Sequence, residues 1–189
     1  MKTRCFWVND SQIYMDYHDQ EWGEPVFDDA TLFEFLLLET FQAGLSWITI
    51  LNKREHFRIA FDNFDYKKIA TYPESKYDSL LQDAGIVRNK LKIRSAISNA
   101  QLFMEIQKEF GSFSRFYWSY VDGTPIVNKF HKREDVPATT ALSDKISKEL
   151  KKRGFKFVGS TVIYAYMQAT GLVNDHSTDC FKYPDLKKG

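Results

Sequence analysis

The sequence predicts an all-α chain. Apolar residues recur at helical spacing nearly throughout, glycine and proline cut that pattern into pieces of helix length, and no stretch longer than a few residues alternates like a half-buried strand. Asp28 can cap a helix over about 29–42, rich in Leu and Phe and stopped near Gly44. A second follows over 46–61, with Trp47, Ile50, Leu51 and Phe57 among its apolar positions. Pro73 suits the first turn of a helix over 74–83 that Gly85 ends. A long amphipathic segment runs over about 88–110 before Gly111, and a short one over 114–121. Asp122-Gly123-Thr124-Pro125 is a turn, and the stretch through Pro137 reads as irregular. Two more helices fit, 141–153 ending at Gly154 and 160–170 ending at Gly171.

With 189 residues and 22.2 kDa, the chain suits one domain with an ordinary hydrophobic interior, and there is no repeat or low-complexity tract. The longest apolar run, Leu36-Leu37-Leu38 with its Phe neighbours, is too short to span a bilayer. The first residues lack an apolar signal core, so an intracellular protein is expected. The net charge of +1 hides an asymmetry. Residues 1–85 hold 8 Lys/Arg against 15 Asp/Glu, whereas residues 86–160 hold 15 against 7. A basic later segment suits a polyanion-binding face, although a run such as Lys151-Lys152-Arg153 is more often a solvated helix end.

The only two cysteines each have a histidine partner. Cys5 lies 13 residues before His18, and Cys180 lies four residues after His176. Thiolate and imidazole are the ligands zinc prefers, and a closed set of four leaves no open position for substrate. The expected metal is therefore one structural zinc joining the two ends of the chain. Unrelated buried thiols and core histidines, or a Cys5–Cys180 disulfide, are the alternatives.

Two further features bear on function. In Leu80-Leu81-Gln82-Asp83-Ala84-Gly85-Ile86-Val87-Arg88-Asn89-Lys90, one helix stops at glycine and another starts soon after with basic side chains, the pattern of a helix–hairpin–helix at about 76–100. Backbone N–H groups at such a turn bind phosphate without reading bases, though any helical hairpin can use glycine. The other feature is Glu39 in an otherwise apolar helix, downstream of an aromatic cluster of Phe6, Trp7, Tyr14, Tyr17 and Trp22. The glutamate lies either on an exposed stripe or in a pocket, where it would accept hydrogen bonds from a ligand held between the rings.

Taken together, the motifs resemble the 3-methyladenine DNA glycosylase I family of bacterial base-excision repair. The resemblance rests on Cys5-Phe6-Trp7-Val8, the stretch from Tyr17 to Gly23, Glu39, the stretch from Gln42 to Trp47, that from Asp83 to Arg88, that from Lys151 to Gly159, that from Gly171 to His176, and Cys180. It runs in order from about residue 3 to residue 183. It implies a helix–hairpin–helix DNA glycosylase fold, a single domain over 1–189, and a structural zinc on Cys5, His18, His176 and Cys180. The base pocket it implies involves Glu39, Tyr14, Tyr17 and Trp47, with Trp7 and Trp22 beside it. Gly44 and Leu45 match a loop that presses into DNA where the base has left, and Gly85, Ile86, Val87, Arg88 and Lys90 form the implied phosphate-binding turn. The implied activity is hydrolysis of the N-glycosidic bond of 3-methyladenine in alkylated double-stranded DNA, after base flipping, by a cytoplasmic monomer that requires no protein partner and no membrane. Departures such as Thr40-Phe41 and the tail Phe181-Lys182-Tyr183-Pro184 touch the rim and the terminus. Two rivals are a zinc-clipped DNA-binding module and a paralogue that holds damaged DNA without turnover.

Overall fold

A computed structural model describes residues 2–184 of the chain. The helices are α1 (Gln12–Gln20), α2 (Asp29–Gln42), α3 (Trp47–Ala60), α4 (Tyr66–Ile69), α5 (Glu74–Gln82), α6 (Lys90–Phe110), α7 (Phe113–Trp118), α8 (Ala141–Lys152) and α9 (Ser160–Ala169). Short 3-10 turns follow α3 and α7, and another covers Arg133–Asp135.

Helix α2 is the axis of the fold. It packs against α3, α6, α7 and α9, and Leu32, Phe33, Phe35, Leu36, Leu37, Leu38 and Phe41 are all buried. A helix apolar on nearly all sides must lie inside. Its start is fixed by Asp28, whose carboxylate accepts from Thr31 N at 2.8 Å. Asp29 faces the other way and accepts from Phe113 N and Ser114 N, which pins α7 to this end of α2. At the far end Lys92 of α6 donates to the carbonyls of Phe41 and Ala43. The last carbonyls of a helix lack partners within it, and a cation is favoured there by the helix dipole.

The expected helices are all present, most with ends shifted by one or two residues; the segment expected over 114–121 is α-helical over Phe113–Trp118 and finishes as a 3-10 turn over Ser119–Val121. Ser46 occupies the N-cap position of α3, yet its hydroxyl pairs with Thr49 Oγ1 rather than with the backbone. The expectation of an irregular stretch through Pro137 needs correction. Ile126–Val127 (β1) pairs in parallel with Val173–Asn174 (β2), and Phe130 bridges Ser177 beyond it. Strands of two residues are too short for alternation to register. Helix α1 also went unanticipated; its residues are mostly polar or aromatic, with little apolar stripe.

Candidate active site

The site is assembled from both ends of the chain around the middle of α2. Tyr14 and Tyr17 stand one turn apart on α1 and share a face with His18. Glu39 and Gln42 stand one turn apart on α2, and Trp47 opens α3. With Phe6, Trp7 and Trp22 these side chains line a cavity of about 390 Å3, completed by Gln168 of α9, Asp175, and Arg133 and Val136 at the rim. Such a volume lies within the range of about 300–1,000 Å3 usual for small-molecule sites.

Its walls are aromatic. Trp7 stands edge-on to Tyr14 at 5.5 Å and to Trp22 at 5.0 Å between ring centroids, and Tyr17 tilts against Trp47 at 5.5 Å. Several of its polar atoms lack partners. Five buried side-chain nitrogen or oxygen atoms lack a hydrogen-bond partner among the described residues, and three of them, Glu39 Oε2, Trp7 Nε1 and Trp47 Nε1, belong to residues of this cavity. A buried polar atom without a partner costs about 1–3 kcal/mol, so three in one cavity mark a place built for a ligand. Glu39 is 3% exposed, and burial with no compensating cation raises its pKa to about 8. Burial, reinforced by Glu39, holds the Tyr17 phenol well above its ordinary value, so it stays neutral.

The cysteines are both free, which removes the disulfide alternative. Cys5, His18, His176 and Cys180 are all buried, with ligand atoms within 4.8 Å of one another, and could hold a metal ion. The Sγ of Cys5 lies 3.3 Å from His176 Nδ1, and that of Cys180 lies 3.4 Å from His18 Nε2. The outward nitrogens are spoken for. His18 Nδ1 donates to Asp19, itself clamped by Arg4, and His176 Nε2 donates to the carbonyl of Trp22. Those bonds leave one lone pair of each imidazole facing the thiols, the usual orientation of metal-binding histidines. Backbone N–H groups of Ser177 and Lys182 donate to Cys5 and Cys180. The two thiols lie close enough to shift each other, Cys180 downward and Cys5 upward.

The cluster and the cavity share a wall. Trp22 meets His176 at 4.8 Å and Trp7 meets His18 at 5.4 Å, each edge-on. Gly23 makes this possible. Its φ is +79°, and a Cβ there would stand 2.9 Å from His176 Nε2. Gly23→Ala is therefore expected to weaken metal binding and perturb the cavity together, measurable as lower metal content and altered tryptophan fluorescence.

The profile of the methyladenine glycosylase family matches residues 7–183. The chain belongs to that family. This family member is 49% identical over 180 residues to the DNA-3-methyladenine glycosylase of Haemophilus influenzae, covering 95% of this chain and 97% of the relative. A crystal structure of a 3-methyladenine DNA glycosylase I superposes with a TM-score of 0.93 at 48% identity, covering 96% of this chain and all of that one. A structure describing 3-methyladenine recognition by the glycosylase I of Staphylococcus aureus gives 0.92 at 36% identity, with 96% of both chains covered.

The six residues expected at a base pocket thus meet in one cavity, and the four expected ligands in one cluster. Gly44 and Leu45 are exposed on the loop between α2 and α3. In the turn between α5 and α6, Arg88 and Lys90 are exposed, Val87 is half-buried and the Ile86 side chain lies in the core, which leaves Ile86 only its backbone to offer. Gly85 serves close packing, since a Cβ would approach His56 to 2.8 Å. Gly85 N donates to Asp83 and Lys92 N donates to Asn89, so part of the turn's donor set is already engaged. Sequence reasoning missed Gln42, which the i+3 spacing from Glu39 could have revealed, and Asp175, which holds Asn128, Tyr164 and Gln168 and follows no such rule. It also gave no role to the hairpin between α8 and α9. Helix α9 starts at Gly159 without a side-chain cap, and Lys151, Lys152 and Lys156 are exposed beside it.

Proposed function

We propose that this glycosylase excises 3-methyladenine from alkylated duplex DNA, with Glu39 reading the adenine edge and Trp7, Tyr14, Tyr17, Trp22 and Trp47 enclosing the base. The observation that carries this reading is the buried Glu39 oxygen without a partner among aromatic rings. Methylation at N3 leaves the base cationic and its glycosidic bond weakened. Electron-rich ring faces favour such a base by about 0.5–2 kcal/mol per good contact. Glu39, mostly protonated in the empty cavity at neutral pH, loses its proton to solvent as the cation arrives, because the positive charge offsets its desolvation. As a carboxylate it accepts from the adenine 6-amino group, where guanine carries an acceptor oxygen instead.

A base inside the duplex cannot reach the cavity, so the nucleotide must be extruded, which is easiest where the lesion perturbs stacking. Gly44 and Leu45 enter the gap this leaves. Phosphates are held by free backbone donors and cations at the α5–α6 turn, chiefly Arg88 and Lys90, and at the uncapped start of α9. When the bond to the sugar breaks, its electron pair leaves with the base and neutralises it. Water adds to the sugar carbon and loses a proton, giving an abasic site.

One zinc on Cys5, His18, His176 and Cys180 completes the proposal. Around tetrahedral zinc, with bonds of about 2.0–2.3 Å, ligand atoms stand about 3.3–3.8 Å apart, and three of the four sulfur–nitrogen distances, 3.3, 3.4 and 3.6 Å, fit. When bound, the ion supplies structure and no chemistry, since all four positions are filled by protein. The residues themselves tie the segment before α1 to that after β2 and so fix Trp7 and Trp22. The protein is proposed to act as a monomer; among the described residues no helix is long and apolar enough to cross a membrane.

The pocket assignment is tested by titrating free bases against intrinsic tryptophan fluorescence. 3-Methyladenine is expected to quench strongly, and adenine and 7-methylguanine weakly; equal responses would refute it. For the phosphate turn, Arg88→Ala with Lys90→Ala is expected to weaken binding to damaged and undamaged duplex alike and to flatten the salt dependence by up to about two charges. A change in base preference at unchanged affinity would contradict the assignment.

A further inference from the structure

The loop that carries Gly44 and Leu45 and the turn that carries Arg88 and Lys90 are tied to each other from both sides by lysines. Lys92, in the first turn of α6, is 7% exposed, and its Nζ donates to the carbonyl of Phe41 at 2.7 Å and to that of Ala43 at 2.6 Å. Those carbonyls end α2, one and three residues before Gly44. In the opposite direction Lys53 of α3 reaches the carbonyls of Ala84 and Gly85 at 3.1 and 3.4 Å. Gly85 seats this turn against His56 of the same helix with no room for a Cβ. Each lysine stands on a helix that leaves one loop and bonds the backbone of the other.

A buried ammonium is retained only where its hydrogen bonds offset desolvation. Lys92 places its charge at the negative end of α2, where carbonyls need partners, but a helix end on the surface could meet that need with water. The burial is instead spent on a connection between two loops more than 40 residues apart in the chain. Loops ordinarily move independently on nanosecond to microsecond timescales. A strut at each side removes that freedom.

We propose that Lys92 is a positioning residue that sets the depth of the Leu45 loop relative to the phosphate-holding turn, with Lys53 as the matching strut. Gripping the backbone and filling the vacated stack then become one rigid-body event. The inference rests on the reading of Leu45 as the residue that enters the duplex.

The test uses Lys92→Met, which keeps the aliphatic stem and removes the ammonium, with Leu45→Ala as control and Lys53→Met as a second, half-buried strut variant that spares the core. Single-turnover release of 3-methyladenine is measured from duplex and from single-stranded DNA, beside free-base quenching and affinity for undamaged duplex. Lys92→Met is expected to slow release from duplex tenfold or more, while release from single strands, free-base binding and undamaged-duplex affinity stay within about twofold. Lys53→Met should give the same pattern at smaller amplitude and carries the test if Lys92→Met does not fold. Equal slowing on duplex and single strand, or loss of free-base binding, would assign the lysines to general stability and overturn the proposal. Normal duplex release by the lysine variants beside a slow Leu45→Ala would refute the struts alone. Normal release by Leu45→Ala would refute the duplex-entering loop, and the inference with it.

Discussion

Glu39→Gln is expected to suppress 3-methyladenine release by about 10- to 150-fold while making the protein more stable. The substitution keeps shape and volume but turns one acceptor into a donor, so it removes a hydrogen bond to a charged group, worth about 1.5–3 kcal/mol. The gain in stability follows from the burial of Glu39. Glu39 is buried with no cation beside it and an oxygen without a partner. The unfolded chain loses the Glu39 proton at its ordinary pKa of 4.5, whereas the folded chain keeps it to about pH 8. Between those values the folded state binds the extra proton, so wild-type stability falls as pH rises, and the penalty is absent below the lower value. Thermal melts of both proteins at pH 5 and pH 8 should show the advantage of Glu39→Gln growing with pH. A pH-independent difference would return Glu39 to an ordinary solvated role.

Cys180→Ala, or exhaustive chelation, is expected to be strongly destabilising. Binding energy of a structural zinc is folding energy, and the C-terminal segment loses its anchor to Cys5 and His18. A loss of several kcal/mol in a chain of this size corresponds to a drop in Tm of about 10 °C or more. Because Trp7 and Trp22 pack on the two histidines, free-base binding should weaken in parallel. Elemental analysis of protein purified without added metal should find one zinc per chain. Metal-free protein with unchanged melting and unchanged base binding would contradict the assignment.

How much of this was legible beforehand depends on what each feature needs. The helix boundaries followed local rules, such as Asp28 capping α2 and Gly111 closing α6 in a left-handed conformation, and these survive in three dimensions. The burial of Glu39 was half legible. A helix reading Phe35-Leu36-Leu37-Leu38 has little room for a polar stripe, but only the packing of α3, α6, α7 and α9 around it decides the matter. The short parallel pair and the Lys92 and Lys53 contacts were not legible, since each joins residues 30 or more positions apart without a repeating pattern. Within the α5–α6 turn, the sequence did not show which side chains face inward: Ile86 lies in the core while Arg88 is exposed, a split that follows from packing and not from the turn pattern.

The central claim is that the cavity selects and releases 3-methyladenine. The direct measurement is to incubate the protein with methylated duplex DNA, separate the liberated bases and count the abasic sites. The account predicts free 3-methyladenine in equal number to new abasic sites, with 7-methylguanine left in the DNA. Tight binding without release, or release of 7-methylguanine at a comparable rate, would contradict it.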